Sequence, residues 1–197
     1  MESKISVAAA AFVLAGTIAL AGCSGPASSD HSSMPGMEHG SSAAPASGAN
    51  DADAMFARMM IVHHQQAVEM SDLVLAKEGV DGRVRDLAER IKAAQAPEID
   101  RMQGWLDEWG VDAPDDSMDH GDGMMTDEDM AALEAASGAE ASWLFLEQMI
   151  VHHEGAIAMA QTQIADGEDA DAVALAESIA AAQSDEIAEM RKILDSL

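Results

Sequence analysis

FARMMIVHHQQAVEM, residues Phe56 to Met70, returns almost unchanged as FLEQMIVHHEGAIAM, residues Phe145 to Met159. Each stretch holds Met-Ile-Val-His-His, then an Ala three residues past the second His and a Met three residues past that Ala. Phe56, Met60, His63, Ala67, Met70 and Val74 step alternately by four and three, the spacing of one apolar stripe on an α-helix. Phe145, Met149, His152, Ala156 and Met159 step the same way. The first His of each pair therefore lies on the buried stripe. His64 and His153 sit about 100° round the helix, at its flank. Four of the seven histidines in 197 residues stand in these two pairs. Core packing repeats Leu or Ala freely; a repeated His-His between methionines points to a shared site.

The duplication extends outward. Ala94-Gln95-x-x-Glu98-Ile99-x-x-Met102 is matched by Ala182-Gln183-x-x-Glu186-Ile187-x-x-Met190. Helices are expected over about 51–78 and 82–109 in the first repeat, and 139–166 and 169–197 in the second, broken by Gly79, Gly110 and Gly167. Thr126-Asp-Glu-Asp129 reads as the cap and acidic first turn of a short helix that pauses near Gly138. Pro97 predicts a local kink in the second helix. Two helical hairpins, 51–110 and 139–197, joined by a polar loop over 111–126 make an all-α four-helix bundle the natural architecture for residues 51–197.

Ile91, Gln95, Glu98, Met102, Trp105 and Trp109 form a stripe on the returning helix, as do Ile179, Gln183, Glu186, Met190, Ile193 and Leu197. Residues equally far from an antiparallel turn lie side by side. Distance from Gly79 brings His63 level with residue 95, and distance from Gly167 brings His152 level with residue 182. The expected centre is a polar layer of His63, His152, Gln95, Gln183, Glu98 and Glu186. Met60, Met70, Met102, Met149, Met159 and Met190 bracket it.

Composition agrees with a helical protein and limits its partners. The chain is 48% hydrophobic, 3% aromatic, without Tyr and with 15 Met. A net charge of -26 repels phosphates and argues against nucleic acid. At the N-terminus, Lys4 precedes an apolar run from Ile5 to Leu20, too short for a spanning helix and right for a signal peptide over residues 1–22. Leu20-Ala21-Gly22-Cys23 resembles the bacterial lipobox. That resemblance implies cleavage before Cys23, the chain's one cysteine, and its lipidation, which anchors the protein to the extracytoplasmic face of the cell membrane. Residues 23–50 then form a Ser/Ala/Gly/Pro tether.

A metal is the leading occupant of the expected layer. Bundle di-iron sites use Glu-x-x-His, but Met60 and Met149 stand three residues before His63 and His152. Thioether with imidazole is a soft donor set that favours copper, Cu(I) over Cu(II). Zinc and iron fit it less well. His31, Met34, Met37 and His39 in the tether, and Met118, His120, Met124 and Met125 in the inter-hairpin loop, are candidates to collect copper. Three readings compete: copper binding, a ferritin-like metal oxidase built on His and Glu, and a metal-free bundle in which His and Glu are hydrogen-bonded and an envelope partner is bound.

At the paired HHxxAxxM helices, with the returning Gln-x-x-Glu-Ile-x-x-Met, the sequence resembles the domain-of-unknown-function 305 family, which includes CopM-like copper-binding proteins. The resemblance covers about residues 51–197. It implies an exported, ferritin-like four-helix bundle associated with copper handling through Met and His, and it does not imply catalysis. By motif match it carries Met60, His63, His64 and Met70, and Met149, His152, His153 and Met159, as candidate metal residues. A copper donor or acceptor protein, and a second copy of the chain, are the protein partners such a role allows.

Overall fold

The computed structural model describes residues 48–114 and 123–197. Five α-helices and no strand occur among them: α1 (Asp51–Leu75), α2 (Gly82–Trp109), α3 (Asp127–Ala135), α4 (Gly138–Asp166) and α5 (Ala170–Leu194). Cys23, His31, Met34, Met37, His39, Met118 and His120 lie outside the described residues, as do the signal segment and most of the tether.

Local chemistry sets the helix ends. The Asn50 side chain accepts from the N–H groups of Ala52 (2.9 Å) and Asp53 (3.0 Å), and Asp53 accepts from Asn50 N–H at 2.8 Å. This reciprocal box satisfies donors that an open helix start leaves orphaned. Thr126 and Asp129 build the same box at α3. Asp81 and Asp169 cap α2 and α5 at duplicated positions. The helix expected to reach residue 78 ends at Leu75 in a turn closed by Gly79, whose φ is +74°. Gly79 suits a tight approach as well: a Cβ there would lie 3.3 Å from Gly138 Cα at the start of α4. α2 runs through Pro97 as one helix. Pro97 and Ala93 face solvent, so water can satisfy the carbonyl that Pro97 leaves without a donor.

α1 pairs with α2 and α4 with α5, and the hairpins join through α1 against α4. The join is antiparallel. Asp53 at the start of α1 accepts from the N–H groups of Glu168 and Asp169, both at 3.1 Å, in the α4–α5 turn. Ser142 at the start of α4 accepts from Asp81 N–H at 3.0 Å in the α1–α2 turn. Adding 89 to Asp53 gives Ser142. Each hairpin thus holds the other's turn with the same position of its repeat. Burial raises the cost of a charged Asp53, but hydrogen bonds from Asn50, Gln163, Glu168 and Asp169 outweigh it and hold its pKa below the ordinary value.

The apolar core forms two clusters. Met70, Met149 and Met190 belong to one, and Met60 and Met102 to the other, with Met159 packed at its margin. Each cluster draws thioethers from both hairpins. The order follows from antiparallel α1 and α4: what lies before the His pair on one helix meets what lies after it on the other.

Candidate metal centre

His63 and His152 meet where α1 crosses α4. Their ring centroids are 3.7 Å apart and the planes tilt by 40°. Both residues are 0% exposed. None of their four ring nitrogens makes a well-formed hydrogen bond, although the His152 ring lies close to the His63 backbone. Leaving such groups buried and unpaired costs about 1–3 kcal/mol each. Burial, with His64 and His153 adding to it, pushes the His63 imidazole from 6.5 down to about 3. Burial likewise pushes His152 well below its ordinary value, helped by His63, His153 and His64. Both rings are neutral at physiological pH, and a neutral imidazole offers a lone pair to a metal.

The second histidines correct the expected geometry. Helical phase assigned them to the flank, but His64 and His153 are also 0% exposed. Glu98 and Glu186 pair with these rings and not with His63 and His152. The Nε2–Oε2 distances are 2.8 Å for His64–Glu98 and 2.7 Å for His153–Glu186. A carboxylate only accepts, so each Nε2–H donates to it. In a neutral ring the lone pair then sits on Nδ1, and both Nδ1 atoms are buried without a partner. A His oriented by a carboxylate through one nitrogen, with the other left free, is the arrangement that prepares a ring for a metal.

Gln95 and Gln183 are buried as expected, each with an unpartnered Oε1. Met60, Met70, Met102, Met149 and Met190 are fully buried, whereas Met159 is only half-buried. Among the described residues, no three His, Cys, Asp or Glu side chains are grouped so as to hold a metal. A three-donor site on these histidines therefore has to recruit thioether or amide groups, or water.

The inter-hairpin loop reaches this level of the fold. Met125 N–H donates to Gln66 Oε1 at 2.7 Å, and Gln66 Nε2 donates to Met125 O at 2.9 Å. Gln66 follows His63 by three residues, and Gly155 follows His152 by three. Gly123 has φ +94°, and a Cβ on it would fall 2.7 Å from Gly155 Cα. Two glycines thus let the backbone of the loop lie against α4, bringing Met124 and Met125 to the α1–α4 junction. Sequence periodicity cannot reveal this contact, since the loop has no helical pattern and Gln66 reads as one more polar helix residue.

Residues 53–194 match the family described as Domain of unknown function (DUF305). The chain belongs to the DUF305 family. A DUF305 structure from Streptomyces coelicolor, described as that of a secreted protein, is 36% identical, with a TM-score of 0.70 over 74% of this chain and 93% of that one. A DUF305 fragment from Deinococcus radiodurans is 28% identical, with a TM-score of 0.68 over 76% and 99%. CopM, solved in a Cu(I)-bound form, is 29% identical, with a TM-score of 0.61 over 73% and 96%. CopM has also been solved in Cu(II)-bound, Ag-bound and apo forms. No curated protein matches the chain. None of these DUF305 and CopM structures is described as an enzyme.

Proposed function

We propose that this DUF305 protein binds copper outside the cytoplasm, as a ferritin-like four-helix bundle anchored to the membrane through lipidated Cys23, and that it sequesters copper or relays it. One observation carries the reading. The core buries six histidine nitrogens without hydrogen-bond partners, two each on His63 and His152 and the Nδ1 atoms of His64 and His153. The fold tolerates this cost at its centre, where a cation would remove it. His63 and His152 are the inner ligands, and His64 and His153 supply oriented Nδ1 lone pairs through Glu98 and Glu186. Met60 and Met149, one helical turn before the inner histidines, add the thioethers that favour Cu(I) over Cu(II). The CopM structures with Cu(I), Cu(II) and Ag support this metal class. The His/Met segments 31–39 and 118–125 are the gathering arms of the relay.

The anchor rests on the Lys4, apolar-run and Leu-Ala-Gly-Cys23 order. No described helix is long and apolar enough to cross a membrane. Anaerobic Cu(I) titration against a chromophoric chelator, on the wild type and on His63→Leu/His152→Leu, tests the core. The variant is expected to lose its tightest copper equivalent. Unchanged tight binding would remove the histidines from the reading.

A further inference from the structure

We propose that Met55, Met59 and Met159 form a second, solvent-facing site for a soft monovalent cation of the Cu(I) or Ag(I) kind. They line one groove of ≈ 270 Å³, together with Phe56 and Gln163. Met55 and Met59 are one turn apart on the same face of α1. Met159 comes from the antiparallel α4. Met55 is 50% exposed, and Met59 and Met159 are half-buried. A thioether usually fills gaps in a core; Met159 does so only at the margin of one cluster, and Met55 stands half out in solvent.

The duplication supplies an internal control. Adding 89 to Met55 and Met59 gives Leu144 and Gln148, and subtracting 89 from Met159 gives Met70. There the same positions hold one thioether, and they serve packing. Met70 is fully buried, and Gln148 Nε2 donates to Asp129 O on α3 at 2.9 Å. The second repeat shows that the fold needs no methionine at the first two positions. The first repeat carries methionine at both, and no residue of α3 lines the groove there. Gln163 adds an independent sign. Its amide nitrogen donates to Asp53, while its buried Oε1 has no partner.

The set is chemically selective. Three neutral sulfurs bind d10 monovalent ions and offer little to Zn²⁺, Mg²⁺ or Ca²⁺. The groove also leads inward. Met159 packs against the cluster that holds Met60 and Met102, and Met60 lies one turn before His63. The site stands apart from the histidine centre and does not depend on it.

Silver(I) is the redox-inert probe, and Met methyl resonances of the full-length protein are the readout, because they separate this groove from any other His or Met that competes for the ion. In His63→Leu/His152→Leu, sub-equimolar Ag(I) is expected to shift the methyls of Met55, Met59 and Met159 together. Met55→Leu/Met59→Leu/Met159→Leu conserves volume and should fold as the wild type does by circular dichroism. It is expected to bind one Ag(I) fewer by native mass spectrometry, while the histidine centre still fills. Methyls of Met55, Met59 and Met159 that stay fixed, or an unchanged silver count in the triple variant, would overturn the site. Loss of these shifts in the histidine double variant would also overturn it, by merging it with the core.

Discussion

Replacing His63 and His152 by leucine together should flatten the acid side of the stability curve of the metal-free protein. In the folded state His63 titrates at about 3, against 6.5 in a free chain. The unfolded chain takes up a proton below 6.5 and the folded one does not, so stability falls as pH drops from 6.5 towards 3. Between pH 7.5 and pH 5.0 this costs about 2 kcal/mol for His63 alone, roughly a thirty-fold shift towards unfolding. His152, displaced the same way by burial, adds to the loss. Leucine at both positions removes the titration and the four unpartnered nitrogens. Apolar replacement of both members of a buried polar pair is close to neutral or stabilising. At pH 7.5 the variant should therefore be at least as stable as the wild type. Urea unfolding with chelator present, followed by far-ultraviolet circular dichroism at both pH values, measures the difference. Equal losses between pH 7.5 and 5.0 would refute the burial of neutral imidazoles, and with it the reason for calling the centre prepared.

Glu98→Gln/Glu186→Gln keeps a hydrogen-bond acceptor for each His but removes the charge that raises ring basicity; copper affinity should fall about 10-fold or more, with little change in melting temperature, by chelator competition. Asp53→Ala strips the shared acceptor from Asn50, Glu168 and Asp169 N–H, and should cost about 3 kcal/mol by urea unfolding at pH 7. Because the folded pKa of Asp53 is depressed, its contribution is present above the unfolded carboxylate range and fades as pH falls through the folded value; the Ala variant should lack that fading. Gly123→Ala places a Cβ 2.7 Å from Gly155 Cα at φ +94°, a strain of about 1–2 kcal/mol. Hydrogen exchange should speed up at the Met125 amide, which Gln66 now holds, and remain slow in the core of α1 and α4.

The helices were legible because their punctuation is chemical. Thr126 reads as a cap, and Gly79, Gly110 and Gly167 as stops; the structure adds Asn50, Asp81 and Asp169 as caps. The repeat made the hairpins legible, and counting from the turns brought Glu98 and Glu186 to the level of the His pairs. The face was not legible. A single heptad stripe assumes that a helix has one buried side, which put His64 and His153 at the rim. α1 packs mainly against two helices: α4 meets His63, and α2 meets His64 about 100° round. α4 does the same between α1 and α5. Two buried faces on one helix leave no simple period, so the spacing pointed to His63 and His152 and missed their neighbours. Met159 lies on the expected stripe but is only half-buried. Its stripe position is the same as that of Met70, but α3 stands over the second repeat's groove and not over the first.

That difference shows how a duplicated fold acquires direction. The histidine centre is nearly symmetric: His64–Glu98 and His153–Glu186 are the same contact made twice, within 0.1 Å of each other. Everything added around it is asymmetric. α3 belongs to no repeat and packs on the side of α4 that Gln148 faces, while Gly123 and Met125 lie against Gly155 and Gln66 at the middle of the α1–α4 junction. The other half keeps an open groove with three thioethers at its wall and Met60 and Met102 behind it. A symmetric centre gives an ion no preferred way in or out. Covering one side and lining the other with soft donors supplies that preference without changing a residue of the centre. On the proposed copper reading the fold would separate holding from access: the duplicated histidines would hold the ion, and the groove lined by Met55, Met59 and Met159 would be the side it meets first.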